Sequence, residues 1–192
     1  MILIIDFYDS FTYNLQNELY QMRLDSKVLP FDQVNQDILN HYKVLVLGPG
    51  PGHPQEYQHK LPWLKWLIQN KKVMGICLGH QLILQDFGFS VVRDNHPKHG
   101  TTEMITIPPW KHFNPIFHGV QTSVQRYNSL SVKINDKKRR LLEQTGNLFF
   151  EKKQVCQMAG GNNWLSYQFH PESVGTMCPQ IFFEPLKNFV YT

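Results

Sequence analysis

Three cysteines in 192 residues, Cys77, Cys156 and Cys178, leave one unpaired in any disulfide scheme, and none stands in a CxxC or Cys/His finger spacing. That pattern excludes a disulfide framework and a zinc knuckle, and it fits a reducing compartment, the cytoplasm. No apolar run approaches the length of a membrane span. The opening apolar run ILII meets Asp6 at once and then Asp9, with no basic n-region and no cleavage site, so it does not read as a secretory signal. Charge of one sign is also scarce: the net charge is +4, and the basic residues are scattered apart from KKRR at 137–140, which reads as a solvated turn. No nucleic-acid footprint follows from that run. Internal repeats, low-complexity tracts and linkers are missing as well. The chain therefore reads as one domain, residues 1–192, long enough for a full-sized core.

What is present is alternation. ILII (2–5), KVLP (27–30), VLVL (44–47) and VMGI (73–76) read as short strands, and a continuous apolar run is expected of a parallel strand covered on both faces. A helix is expected from near Phe11, capped by Asp9 or Ser10, with Phe11, Leu15, Leu19 and Met22 at helical spacing. Residues 57–69 and 79–87 read as two more helices. This order predicts a doubly wound, flavodoxin-like α/β fold, with a mostly parallel sheet and helices on both faces. The second half reads as a smaller, more antiparallel region: TTEMITI (101–107), TSVQRY (122–127), LSVKI (130–134), NLFFEKK (147–153), VCQMA (155–159) and LSYQF (165–169). IFFEPLKNFV (181–190) reads as a closing helix in spite of Pro185.

One thiol, Cys77, stands between an apolar strand and a helix in GICLG, with Gly75 two residues before it and Gly79 two after. A residue at the tip of a strand that turns at once into a helix needs small neighbours, and the helix N-terminus behind it favours a thiolate and an oxyanion. The alternative is a buried structural cysteine. A nucleophilic thiol needs a base. His80 would point along the helix. His96 and His99, in NHPKHG, are two candidate ligands without a third and read as a surface loop. His170 follows LSYQF at a strand terminus, Pro171 ends the strand, and Glu172 could accept from the imidazole. Cys77, His170 and Glu172 thus supply the parts of an acyl-transfer triad. GPGPGHP (48–54) is a third element. Its prolines at 49, 51 and 54 lack donors, while Gly48, Gly50 and Gly52 could offer N–H groups to an oxyanion. A plain tight turn is the alternative, and the lysine and spacing of a phosphate loop are missing.

GPGPGHP, GICLGHQ (75–81) and FHPES (169–173), in this order, resemble the class I (triad) glutamine amidotransferases. The opening DFYDSFTYN (6–14) is similar to that of the glutaminase subunits of anthranilate synthase and aminodeoxychorismate (para-aminobenzoate) synthase. The resemblance spans nearly the whole chain. It implies Cys77 as nucleophile, His170 as general base and acid, and Glu172 as orienting carboxylate. It implies backbone N–H groups of Gly52 and Leu78 as an oxyanion hole. Gly50, Pro51 and Gly52 would line the L-glutamine site, with Gln81, Ser129 and Leu130 contacting the substrate. RYNSL (126–130) stands where RYHSL is usual, MAGGNNWLSYQF replaces a strand with a basic pair, and VGTMCPQ follows HPES in place of a more acidic segment. The resemblance also implies no cofactor in this chain and a partner synthase subunit that binds chorismate with Mg2+. It implies no membrane or nucleic-acid partner. The product leans to aminodeoxychorismate, for folate, over anthranilate, for tryptophan. The competing readings are a stand-alone γ-glutamyl hydrolase and a non-catalytic, flavodoxin-like binding module.

Overall fold

The computed structural model describes residues 1–152 and 155–191. The chain runs β1 (Ile2–Asp6), α1 (Thr12–Gln21), β2 (Ser26–Pro30), α2 (Gln36–Asn40), β3 (Val44–Leu47), α3 (Leu64–Asn70), β4 (Lys72–Ile76) and α4 (Leu78–Asp86). It continues through β5 (Ser90–Arg93), β6 (Thr101–Thr106), β7 (Gln121–Arg126), β8 (Leu130–Lys133), α5 (Asp136–Glu143), β9 (Leu148–Lys152), β10 (Val155–Gly160), β11 (Trp164–Tyr167) and α6 (Gln180–Tyr191). Lys153, the last residue of the expected 147–153 strand, lies outside the described residues.

Among the described residues the central sheet has seven strands in the order β2-β1-β3-β4-β11-β10-β9. The pairs from β2 to β11 are parallel, and β10 joins β11 and β9 antiparallel. Two small antiparallel pairs, β5 with β8 and β6 with β7, stand apart from it. The apolar runs explain the parallel part. Along β1 and β3, Ile2, Ile4, Val44 and Val46 face one layer with Leu15 and Leu19 of α1 and Phe182 and Leu186 of α6. Their alternates Leu3, Ile5, Leu45 and Leu47 face the other layer, with Leu39 of α2, Leu67 of α3 and Leu82 and Ile83 of α4. Both faces are covered, so neither can be polar.

Three local expectations need correction. The helix expected over 57–69 begins only at Leu64, after a 3-10 turn at Pro54–Tyr57. Pro62 lacks an N–H and disfavours a helical Leu61, so the early start is blocked. KKRR lies inside α5 instead of forming a turn. Asn135 caps that helix by accepting from the Lys138 N–H, Arg139 bridges Glu143 and Glu151, and Lys138 donates to the Gly88 carbonyl. Helix α1 starts at Thr12, near Phe11 as expected, but neither Asp9 nor Ser10 caps it: Phe11 stands at the N-cap with no side-chain cap bond, and the Asp9 carboxylate takes the Phe11 N–H in a turn before the helix. The helix at the C-terminal side does run through Pro185, where burial of Phe182, Phe183, Leu186 and Phe189 offsets the lost backbone bond. No helix among the described residues is long and apolar enough to cross a membrane.

Candidate active site

Strand β4 and helix α4 meet at Cys77 with no loop between them. The backbone there is forced into φ 51° and ψ −99°, a conformation that costs an L-residue energy and persists only where its surroundings impose it. Two things impose it. The Cys77 N–H donates to the Tyr167 carbonyl of β11 at 2.8 Å. The flanking glycines leave no room for another arrangement: a Cβ on Gly75 would sit 2.7 Å from the Gly79 carbonyl oxygen, and one on Gly79 would sit 2.2 Å from that of Leu47. The steric need read from GICLG is therefore met by named backbone atoms.

The glycine-proline loop closes over the same junction. Gly79 donates to the Gly48 carbonyl at 3.2 Å, which ties the loop to the first turn of α4. Gly50 fits only without a Cβ, which would lie 2.5 Å from Phe7 Cβ and 2.6 Å from Leu78 Cδ2. Gly52 adopts φ 79° beside the Glu56 carboxylate, which accepts the His53 N–H at 2.8 Å, while Pro51 accepts from the Tyr57 hydroxyl. Of the three loop N–H groups expected to be accessible, that of Gly48 is not: it donates to the Ile5 carbonyl at 3.0 Å. Leu78 opens α4, where a backbone N–H has no intrahelical acceptor.

His170 arrives beyond β11, which runs parallel to β4. Its N–H donates to Gln125 of β7 and its carbonyl accepts from Thr176, so the backbone is held from both sides. Nδ1 lies 2.7 Å from Glu172 Oε1, and both side chains are buried. The imidazole is clamped between the rings of Phe11 and Tyr127, at centroid distances of 5.2 and 5.3 Å. Burial alone would push the His170 pKa down. The charges of Cys77 and Glu172, with the hydrogen bond to Glu172, outweigh it and hold the imidazole well above its ordinary value. Cys77, His170 and Glu172 are thus brought into one cluster.

His80 stays out of that cluster. Its Nδ1 meets Ser166 Oγ at 2.9 Å, and burial pushes its pKa down to about 3, so it is neutral. His96 and His99 lie in a loop, and no group of three or more His, Cys, Asp or Glu side chains among the described residues could hold a metal ion.

A family model described as class-I glutamine amidotransferase matches residues 3–189. The chain belongs to the class-I glutamine amidotransferase family. It is similar to anthranilate synthase component 2 of Cyanidium caldarium, with 34% identity across 99% of this chain and 97% of the relative. It is also similar to aminodeoxychorismate/anthranilate synthase component 2 of Bacillus subtilis, with 35% identity across 100% of this chain and 96% of the relative. Among solved structures, a glutamine amidotransferase from Thermotoga maritima superimposes with a TM-score of 0.71 at 16% identity, over 99% of this chain and 83% of that one. A Thermoplasma acidophilum protein described as a GMP synthase subunit gives a TM-score of 0.80 at 23% identity, over 99% and 93%. These two likenesses establish the fold.

In this amidotransferase a buried amide network lies beside the thiol. Gln81 Nε2 donates to the Leu130 carbonyl and to Gln168 Oε1, each at 3.2 Å. Asn128, in RYNSL, donates to the same Leu130 carbonyl at 2.8 Å and accepts from Arg126 Nε at 3.0 Å. Arg126 is itself paired with Glu103 at 2.8 Å. Gln81 and Leu130 are therefore brought together. Ser129 is exposed next to them, its carbonyl accepting from the Asp94 N–H. Sequence reasoning missed Gln168, which is fully buried, and its Nε2 lies 3.9 Å from Cys77 Sγ. The available signal was a glutamine inside the apolar run LSYQF, where an uncompensated amide would be costly.

Proposed function

We propose that the chain is the glutaminase subunit of a chorismate-using synthase, and that it hydrolyses L-glutamine through Cys77, His170 and Glu172. The observation that carries this reading is the convergence of a strained, helix-backed thiol with an imidazole whose far nitrogen is held by a buried carboxylate. The Cys77 thiolate attacks the side-chain carboxamide carbon of glutamine. Backbone N–H groups of Gly52 and Leu78 receive the oxyanion, at about 3–4 kcal/mol for a donor of this kind. His170, protonated, passes its proton to the nitrogen as the C–N bond breaks, and ammonia leaves. The neutral imidazole then takes a proton from water. The resulting hydroxide attacks the γ-glutamyl thioester, the C–S bond breaks, and glutamate and the thiolate are released. Gly50, Pro51, Gln81, Ser129 and Leu130 line the substrate.

The nitrogen needs an acceptor, which this reading places on a partner. Two relatives are named as component 2 of a synthase. The partner binds chorismate with Mg2+, and this chain carries no cofactor of its own. The docking surface in this reading is the DSFTYN loop with the face near HPES. The two adjoin through the Phe11–His170 contact, and they expose Tyr13 by 68% and Val174 by 99%. The pair works in the cytoplasm, and glutamine hydrolysis is slow until the partner binds. Of the two products we favour aminodeoxychorismate, on the departures at RYNSL, MAGGNNW and VGTMCPQ.

The test mixes this protein with glutamine, chorismate, Mg2+ and each candidate synthase subunit from the same cell. Aminodeoxychorismate alone supports the folate assignment, anthranilate alone moves the chain to tryptophan synthesis, and both products make it a shared subunit. Neither product from glutamine, with both formed from ammonia, overturns the partner assignment and favours a stand-alone γ-glutamyl hydrolase.

A further inference from the structure

Among the described residues Gln168 is the one polar side chain outside the triad that reaches the sulfur, and the hydrogen bonds behind it set its orientation. A backbone carbonyl only accepts, so the Leu130 oxygen requires Gln81 to present its NH2 group. The same NH2 donates to Gln168, which fixes the Gln168 oxygen toward Gln81. The remaining end of that amide, the NH2, is thereby aimed at Cys77 Sγ, 3.9 Å away. Asn128, held by Arg126, donates to the same Leu130 carbonyl and keeps it in place. The Gln168 N–H donates to the Gln157 carbonyl at 2.9 Å and pins the backbone. No flip of either amide preserves these bonds. An amide buried at this cost would otherwise be replaceable by an apolar residue in the run LSYQF.

We propose that Gln168 is a hydrogen-bond donor to the Cys77 thiolate, set in place by Gln81 and the Leu130 carbonyl. The donor raises the thiolate population before attack, and it receives the sulfur again when the C–S bond of the acyl-enzyme breaks. No bond to Gln168 forms or breaks in either step. The inference deepens the glutaminase reading for the second step, while the first concerns the thiol alone.

The experiment measures iodoacetamide alkylation at Cys77 and Cys178 separately, by peptide mass, at one neutral pH. It compares the wild type with Gln168→Met, which keeps the shape without the donor, and Gln168→Asn, which keeps an amide too short to reach. Exposed Cys178 serves as the internal control. The expected result is alkylation at Cys77 slowed by about tenfold in both variants, the worth of a hydrogen bond to a charged group, with Cys178 unchanged. For glutamine hydrolysis, kcat falls by about the same factor while KM stays within about twofold. Unchanged Cys77 alkylation in either folded variant overturns the proposal. So does an equal change at both cysteines with a lowered melting temperature, which would mark a packing role. If the wild type does not hydrolyse glutamine, the function reading fails, and the alkylation comparison still decides the role of Gln168.

Discussion

His170 and Glu172 stand two residues apart in sequence and 2.7 Å apart between Nδ1 and Oε1, with both side chains buried. The carboxylate can accept only if Nδ1 carries the proton, so Nε2 is the nitrogen left for the chemistry. Glu172→Gln keeps the shape and removes the charge. It should lower kcat for glutamine hydrolysis by roughly 10- to 100-fold, the worth of a charged hydrogen bond, with a smaller effect on KM. Steady-state kinetics with a coupled glutamate assay read this out, and a kcat within about twofold of wild type would contradict it.

The glycines at the elbow make a contrast that equilibrium urea unfolding can measure. Gly79→Ala places a Cβ 2.2 Å from the Leu47 carbonyl, an obstacle on a central strand that cannot yield cheaply. It should cost about 2 kcal/mol or more, or prevent folding. Gly119→Ala meets nothing within 4 Å, but its φ is 78°. It should cost only about 1 kcal/mol, from backbone strain. Equal losses in the two variants would refute the steric account of the elbow.

Buried His80 gives a pH dependence with a definite sign. Its folded pKa is lowered to about 3, so the unfolded chain binds the proton first as pH falls. His80 therefore costs stability progressively below the unfolded value, and none above about pH 7.5. His170, raised in the fold, acts in the opposite direction: its stabilisation is present at low pH and is lost as pH rises through the folded value. Comparison of His80→Gln with wild type isolates the first effect. Between about pH 7.5 and about pH 5.5 the wild type should lose about 1.4 kcal/mol more than the variant, read from urea midpoints. A parallel loss in both proteins would show that His80 is protonated in the fold.

Tyr127 touches His170 edge-on and meets Ser173 Oγ at 3.1 Å through its hydroxyl. Tyr127→Phe retains the ring and should leave kcat within about twofold. Tyr127→Ala removes half of the clamp and should lower kcat by roughly 2- to 10-fold, the worth of an aromatic pair. An equal effect of the two substitutions would assign the contribution to the hydroxyl.

What the sequence showed follows from what is local. ILII and VLVL announce strands covered on both faces because each alternate residue has its own core layer. GICLG announces the elbow because its constraint acts within two residues of Cys77. The amide network was hidden because its members come from β7, α4, the start of β8 and the segment after β11, and only the fold makes them neighbours. KKRR taken as charge alone gives no sign of helix α5. The Asn135 cap starts that helix, and the partners Glu143 and Glu151 hold Arg139 within it. The long helix expected over 57–69 ignored Pro62, a punctuation mark already present in the sequence.

The most direct measurement compares wild type and Cys77→Ala in the presence of the synthase partner and chorismate, with glutamine and with free ammonia as nitrogen sources. The account predicts that Cys77→Ala loses product formation from glutamine and retains it from ammonia. Glutamine-dependent product at the wild-type rate in Cys77→Ala would show that nitrogen is released without this thiol, and the mechanism built on it would fall.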